Sequence, residues 1–114
     1  MLRLDHVALT VSDRERSADF YGRYFGLTKR VHDDAHLLIL AGAGGGMLAL
    51  SEGEVPEMPR TNHFGFRAAS AEQVLALRER FERDGVREAE FSPERPARVQ
   101  VFDPDGNRVE AYAI

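Results

Sequence analysis

The chain has 114 residues, 43% hydrophobic and 30% charged, with a formal net charge of −4. That suits one domain with a sizeable core and is too short for two independent ones. The acidic balance and the lack of a basic patch exclude nucleic acid or an anionic membrane surface as partner; zero cysteines exclude a disulfide framework, a thiol nucleophile and thiolate metal ligation, so any metal must be held by nitrogen and oxygen.

The opening Met-Leu-Arg-Leu-Asp-His is too short and polar for a signal peptide. No stretch approaches the roughly 18 apolar residues of a membrane span, so cytoplasmic residence is expected. Alternating Leu2 to Val11 reads as a strand, and Ser12 with Glu15 three residues on makes a capping box for a helix that Gly26 stops. Ser17, Phe20, Tyr21, Tyr24 and Phe25 recur at helical spacing and form an aromatic stripe whose role is packing on a sheet, with Tyr24 also able to reach a dimer interface. Short strands are expected at 27 to 32, 36 to 41 and 46 to 51. His32 and His36 flank Asp33-Asp34 at a solvated hairpin tip. The glycine run from 42 to 46 lacks the Lys and Ser/Thr of a phosphate loop and reads as a turn.

After a polar connection from about 53 to 60, the plan repeats. A strand over Asn62 to Ala68 leads to Ser70 with Gln73, a second capping box; Val74, Leu77 and Phe81 line a helix that ends at Gly85. Strands follow at 86 to 91, 98 to 103 and 107 to 113, the last two joined by Asp103-Pro104-Asp105-Gly106. Aligning the halves puts His6 on His63, Gly26 on Gly85, and Leu48-Ala49-Leu50 on Val109-Glu110-Ala111. The pattern is a duplicated βαβββ unit, with module one at about 1 to 52 and module two at about 61 to 114, together expected as a single domain.

Strand alternation sorts the polar residues by face. His6, Ala8 and Thr10 oppose Val7, Leu9 and Val11; His63, Gly65 and Arg67 oppose Phe64 and Phe66; Arg108, Glu110 and Tyr112 oppose Val109, Ala111 and Ala113. Two imidazoles and a carboxylate thus fall on the faces away from the bulky apolar side chains. Such a set holds a divalent ion and leaves positions open for substrate. Met47, Ala49 and Ser51 occupy the equivalent face of the fourth strand, so no fourth ligand comes from there.

In this order and spacing, the early His6, the helix ending Phe-Tyr-Gly-Arg-Tyr-Phe-Gly-Leu (20 to 27), His63 and Asp-Pro-Asp-Gly-Asn-Arg-Val-Glu (103 to 110) resemble the vicinal oxygen chelate superfamily. Its members include glyoxalase I, extradiol dioxygenases, fosfomycin-resistance enzymes and bleomycin-resistance proteins. The resemblance covers essentially the entire chain. It implies an α+β fold of two βαβββ modules, whose curved mixed sheet surrounds a metal-bearing groove, often completed in a homodimer. Its implied metal ligands are His6, His63 and Glu110, with Mn, Fe, Ni, Co or Zn as the ion. Glu110 is taken as catalytic, and Tyr112, two residues along the same strand, is a candidate proton donor by its proximity to Glu110. Arg98, Gln100, Arg108, Met47 and Ser51 would line the substrate.

The expected function is a small metal-dependent enzyme that binds neighbouring oxygens of a small substrate on the ion. The alternative is a metal-free, drug-sequestering protein of the bleomycin-resistance type, whose groove would take a cationic drug. This chain departs from the subfamilies at three places: Ala49 replaces the fourth ligand usual in glyoxalase I, Ala8 stands where fosfomycin-resistance transferases carry a hydroxyl, and Glu90, Glu94, Arg95 and Arg98 replace their Lys, Ser and Tyr groups.

Overall fold

Alternating side chains over His6–Val11 build the first strand, β1, in which each second residue turns toward the core and Val11 is fully buried. The computed structural model describes residues 1 to 114, which form two compact units, Met1–Glu57 and Met58–Ile114. In the first, β1 is followed by helix α1 (Arg14–Phe25) and by β2 (Lys29–Asp33), β3 (Leu38–Ala41) and β4 (Met47–Glu52). The sheet order is β1-β4-β3-β2, with β1 parallel to β4 and the other pairs antiparallel. Leu38, Leu40, Leu48 and Leu50 are buried on the helix side, where Phe20 and Tyr21 of α1 pack edge to face at 5.1 Å.

The second unit repeats the plan as β5 (His63–Arg67), α2 (Ala71–Asp84), β6 (Glu88–Ser92), β7 (Ala97–Phe102) and β8 (Arg108–Ala113), in the order β5-β8-β7-β6. Val74 and Phe81 of α2 are buried with Val99, Val101 and Val109 of the sheet. The α+β class and the paired βαβββ modules expected from the sequence are therefore present. No helix is long and apolar enough to cross a membrane.

Two expectations require correction. The first strand begins at His6, not Leu2. Leu2 and Leu4 are exposed, and the first rung to β4 is Met47 N–H donating to the Asp5 carbonyl at 2.8 Å. The cap of α1 is Asp13, not Ser12: its carboxylate accepts from the Glu15 and Arg16 amides at 3.0 and 3.1 Å, while Ser12 Oγ accepts from the Arg16 guanidinium. The second cap is Ser70 as expected, accepting from Gln73 N–H, and both helices end on a glycine in the left-handed region, Gly26 and Gly85.

Each sheet contains one irregularity, and the one in the second sheet matters for the site. In β6 the register shifts between Glu88 and Glu90, so that Glu88 pairs with Val101 but Glu90 pairs with Gln100. An extra residue reverses the alternation of side chains. Glu88 consequently faces α2, where Arg78 donates to it at 2.7 Å, and Glu90 turns to the opposite face.

Candidate functional site

The face of the second sheet turned away from α2 carries the densest polar cluster. Parallel pairing sets His63 beside Arg108, Gly65 beside Glu110 and Arg67 beside Tyr112, while β7 contributes Arg98 and Gln100 opposite Tyr112 and Glu110. His63 Nε2 lies 3.9 Å from Glu110 Oε2, beyond hydrogen-bond range. Their outer atoms are engaged: His63 Nδ1 is 3.0 Å from the Thr61 carbonyl oxygen, and Arg98 donates to Glu110 Oε1 at 3.5 Å. A carbonyl can only accept, so Nδ1 is the donor in that contact, and in the neutral ring Nε2 is then the nitrogen with the lone pair.

Gly65 makes room for this arrangement. A Cβ built there would lie 3.4 Å from Glu110 Oε2 and 3.5 Å from the Glu110 carbonyl, so a β-branched side chain would press on the carboxylate. The Glu110 side chain is only 14% exposed and His63 is 41% exposed, which gives a recessed acid beside an accessible base.

Arg98 also donates to Glu90 Oε1 at 3.0 Å, and Arg108 approaches Glu90 Oε2 at 3.7 Å while donating to Gln100 Oε1 at 3.1 Å. The hydrogen bond from Arg98, then its charge, with smaller contributions from Arg108 and Arg60, holds the Glu90 carboxyl below its ordinary range. The turn that delivers β8 is itself fixed. Buried Asp103 accepts from the amides of Asp105 and Asn107 and from the Asn107 side chain, all at 2.9 to 3.0 Å.

The first unit carries the other expected residues on the matching face of its own sheet. His6 pairs with Met47, Ala8 with Ala49 and Thr10 with Ser51. His6 is exposed, and its Nδ1 lies 2.8 Å from Asp5 Oδ1. Ala49 occupies the rung that Glu110 fills in the second unit. No three His, Asp or Glu side chains are gathered closely enough to hold an ion; of the expected ligands, His63 and Glu110 are the pair that comes together. His32 and His36 sit exposed at the β2–β3 tip, where His32 pairs with Asp34 at 2.8 Å and the Asp34 carboxylate also accepts from the His36 and Leu37 amides.

Alternation along the strands gives the faces on which His6, His63, Glu110, Arg98, Gln100, Arg108 and Tyr112 lie, but not their anchors. Asp5 was visible as the Asp-His dipeptide. Thr61 acts through its backbone and leaves no side-chain signal, and Glu90 reaches Arg98 only because β6 is bulged.

The donor chemistry suits a divalent ion. Each imidazole has Nδ1 held by an oxygen and Nε2 open, the arrangement that orients histidine toward a metal. His63 Nε2 and Glu110 Oε2 are the atoms that would ligate such an ion.

Duplicated βαβββ units, each a helix packed on a four-stranded mixed sheet, define the class of fold. The model of the Glyoxalase/Bleomycin resistance protein/Dioxygenase superfamily matches residues 3–111, and the chain belongs to that superfamily. A probable trivalent organoarsenical cleaving enzyme of Bacillus subtilis (strain 168) is 31% identical over 113 residues, spanning 94% of this chain and 77% of that protein. A possible glyoxalase from Bacillus cereus superposes with a TM-score of 0.83 at 28% identity, over 97% of this chain and 98% of its own. The fosfomycin resistance protein FosX of Listeria monocytogenes, in complex with Mn(II) and sulfate, gives a TM-score of 0.84 at 20% identity, over 100% and 93% of the two chains, a likeness of fold alone.

Proposed function

We propose that this chain is a metal-dependent enzyme of the superfamily that binds two neighbouring oxygens of a small substrate. The observation that carries the reading is the His63–Glu110 pair: a free Nε2 and a free Oε2 face each other at 3.9 Å with their outer atoms already engaged. His63 and Glu110 would hold a divalent ion of the Mn, Fe, Co, Ni or Zn group, with His6 as the third protein ligand. The ion, when bound, supplies a Lewis acid that stabilises negative charge developing on substrate oxygens.

The remaining work falls to the chain. Arg98 holds the outer oxygen of Glu110 and so fixes which oxygen faces His63. Thr61 and Asp5 keep both imidazoles oriented. Gln100 and Arg108 form a fixed polar wall, Met47 and Ser51 line the matching face of the first unit, and Tyr112 is the proton donor we assign. Residence in the cytoplasm and a homodimeric assembly belong to the same proposal.

Cleavage of a trivalent organoarsenical is not carried over from the Bacillus subtilis relative. Trivalent arsenic is a soft centre that favours thiolates, and these 114 residues contain no cysteine.

Metal content of protein purified without chelator tests the reading. Wild type is expected to hold about one ion per chain, and His63→Ala to lose it together with activity. Equal occupancy in His63→Ala, or no uptake by wild type after incubation with each of the five ions, would overturn it; the second result would favour the metal-free, drug-sequestering alternative.

A further inference from the structure

Glu90 is the one carboxylate on the site face of the second sheet that does not oppose an imidazole. It stands between two guanidinium groups, Arg98 on Oε1 at 3.0 Å and Arg108 near Oε2 at 3.7 Å. Arg108 is held besides by Gln100 and by the Phe102 ring, whose centroid lies 5.0 Å from its Cζ, and only 15% of its side chain is exposed. Two fixed guanidiniums around a pair of oxygens make an oxyanion-binding cleft. Here the oxyanion is supplied by the protein.

We infer that Glu90 is a specificity-determining residue: its carboxylate fills the Arg98–Arg108 cleft, so that this face rejects substrates bearing a phosphate, phosphonate or carboxylate and accepts uncharged or cationic ones. The inference rests on the proposed reading of this face as substrate-binding and adds the class of substrate to it. A tethered carboxylate on the neighbouring strand competes at an effective concentration of at least the millimolar order, which a free anion must exceed to displace it. The bulge in β6 is what makes the competition possible. With regular alternation Glu90 would join Glu88 on the helix side, and the guanidinium groups of Arg98 and Arg108 that now meet it would face solvent anions, Arg98 keeping only Glu110 and Arg108 only Gln100 and the Phe102 ring.

Sulfate is the probe, because its charge is constant across the working pH range. It is titrated into the full chain as purified, at fixed ionic strength, and followed by amide chemical shifts and calorimetry. Wild type should bind it weakly, and Glu90→Gln tighter by about tenfold or more, the effect of freeing charge-assisted hydrogen bonds. The gain should vanish in the double variant E90Q/R98Q. Glu88→Gln, which changes net charge equally on the helix side, should show no gain. Glu90→Ser replaces the amide variant if that one does not fold.

Equal affinity in wild type and Glu90→Gln overturns the inference, as does an equal gain in Glu88→Gln or a gain that survives in E90Q/R98Q. The double variant E90Q/H63A separates the inference from the metal assignment. A gain kept there puts the anion on the arginines whether or not an ion is bound. A gain lost there, with E90Q/R98Q still binding tightly, puts it on the metal and ends the role given to Glu90.

Discussion

Ser17 is the one buried side chain of the molecule whose polar atom, Oγ, has no hydrogen-bond partner. It lies on the core side of α1 with Ala18, Phe20 and Tyr21. An unpaired buried hydroxyl opposes folding, since it gives up water and gains nothing in return. Ser17→Ala should therefore leave the unfolding free energy unchanged or raise it by about 1 kcal/mol, measured by urea denaturation. A loss of that size would show that the hydroxyl has a partner in solution. At this scale the sequence was informative where periodicity speaks and silent where it does not. His63 and Glu110 could be assigned to one face because strands alternate with period two. The Thr61 carbonyl that orients His63 could not, because every residue has a carbonyl and only the path of the chain decides which one reaches an imidazole.

The ends of α1 and the bulge in β6 show how small local choices decide an element. Ser12 and Asp13 are both good caps, and the sequence spacing to Glu15 favours Ser12. Pairing decides otherwise: β1 runs to Val11, whose carbonyl accepts from Gly53 N–H at 3.0 Å, and Asp13 then adopts extended backbone directly before the first helical turn. Asp13→Ala should cost about 1 kcal/mol in urea unfolding and Ser12→Ala a few tenths, the former being a true cap and the latter a surface contact. The reverse order would restore Ser12 as the cap. The bulge is harder to foresee, because Glu88-Ala89-Glu90 reads as plain alternation with both acids on one side. The sheet instead sends one to Arg78 and the other to Arg98.

Over the whole molecule, folding draws on carboxylates held in their charged form. Glu15 is kept low chiefly by its hydrogen bond from Arg30, Glu90 chiefly by that from Arg98, and Asp34 is lowered to about 2, first by the His36 amide and then by His32 and the Leu37 amide. A carboxyl lowered on folding stabilises the native state above its unfolded pKa and loses that contribution as pH falls through the folded one. For Asp34 the window runs from the ordinary value of 3.8 down to about 2. Thermal unfolding midpoints should accordingly be level above about pH 5 and fall steadily below it, with Asp34→Asn flattening the lowest part of the curve. All three acids are on the surface, so added salt should weaken the effect. A midpoint that climbs on acidification would contradict this account. The duplicated βαβββ plan was legible at this scale because its order of elements repeats even though few residues do.

Both candidate histidines are the first residues of their strands, His6 of β1 and His63 of β5, so each imidazole is steered by a residue that precedes its strand, Asp5 in one case and Thr61 in the other. The orientation of the two rings is thereby set from outside the strands that carry them. Exchanging the carboxylate behind His6 for an amide, or reshaping the approach to His63, would retune a donor atom while every rung of the scaffold stays in place, and a duplicated fold with adjustable lead-in segments can diverge in chemistry long before it diverges in shape.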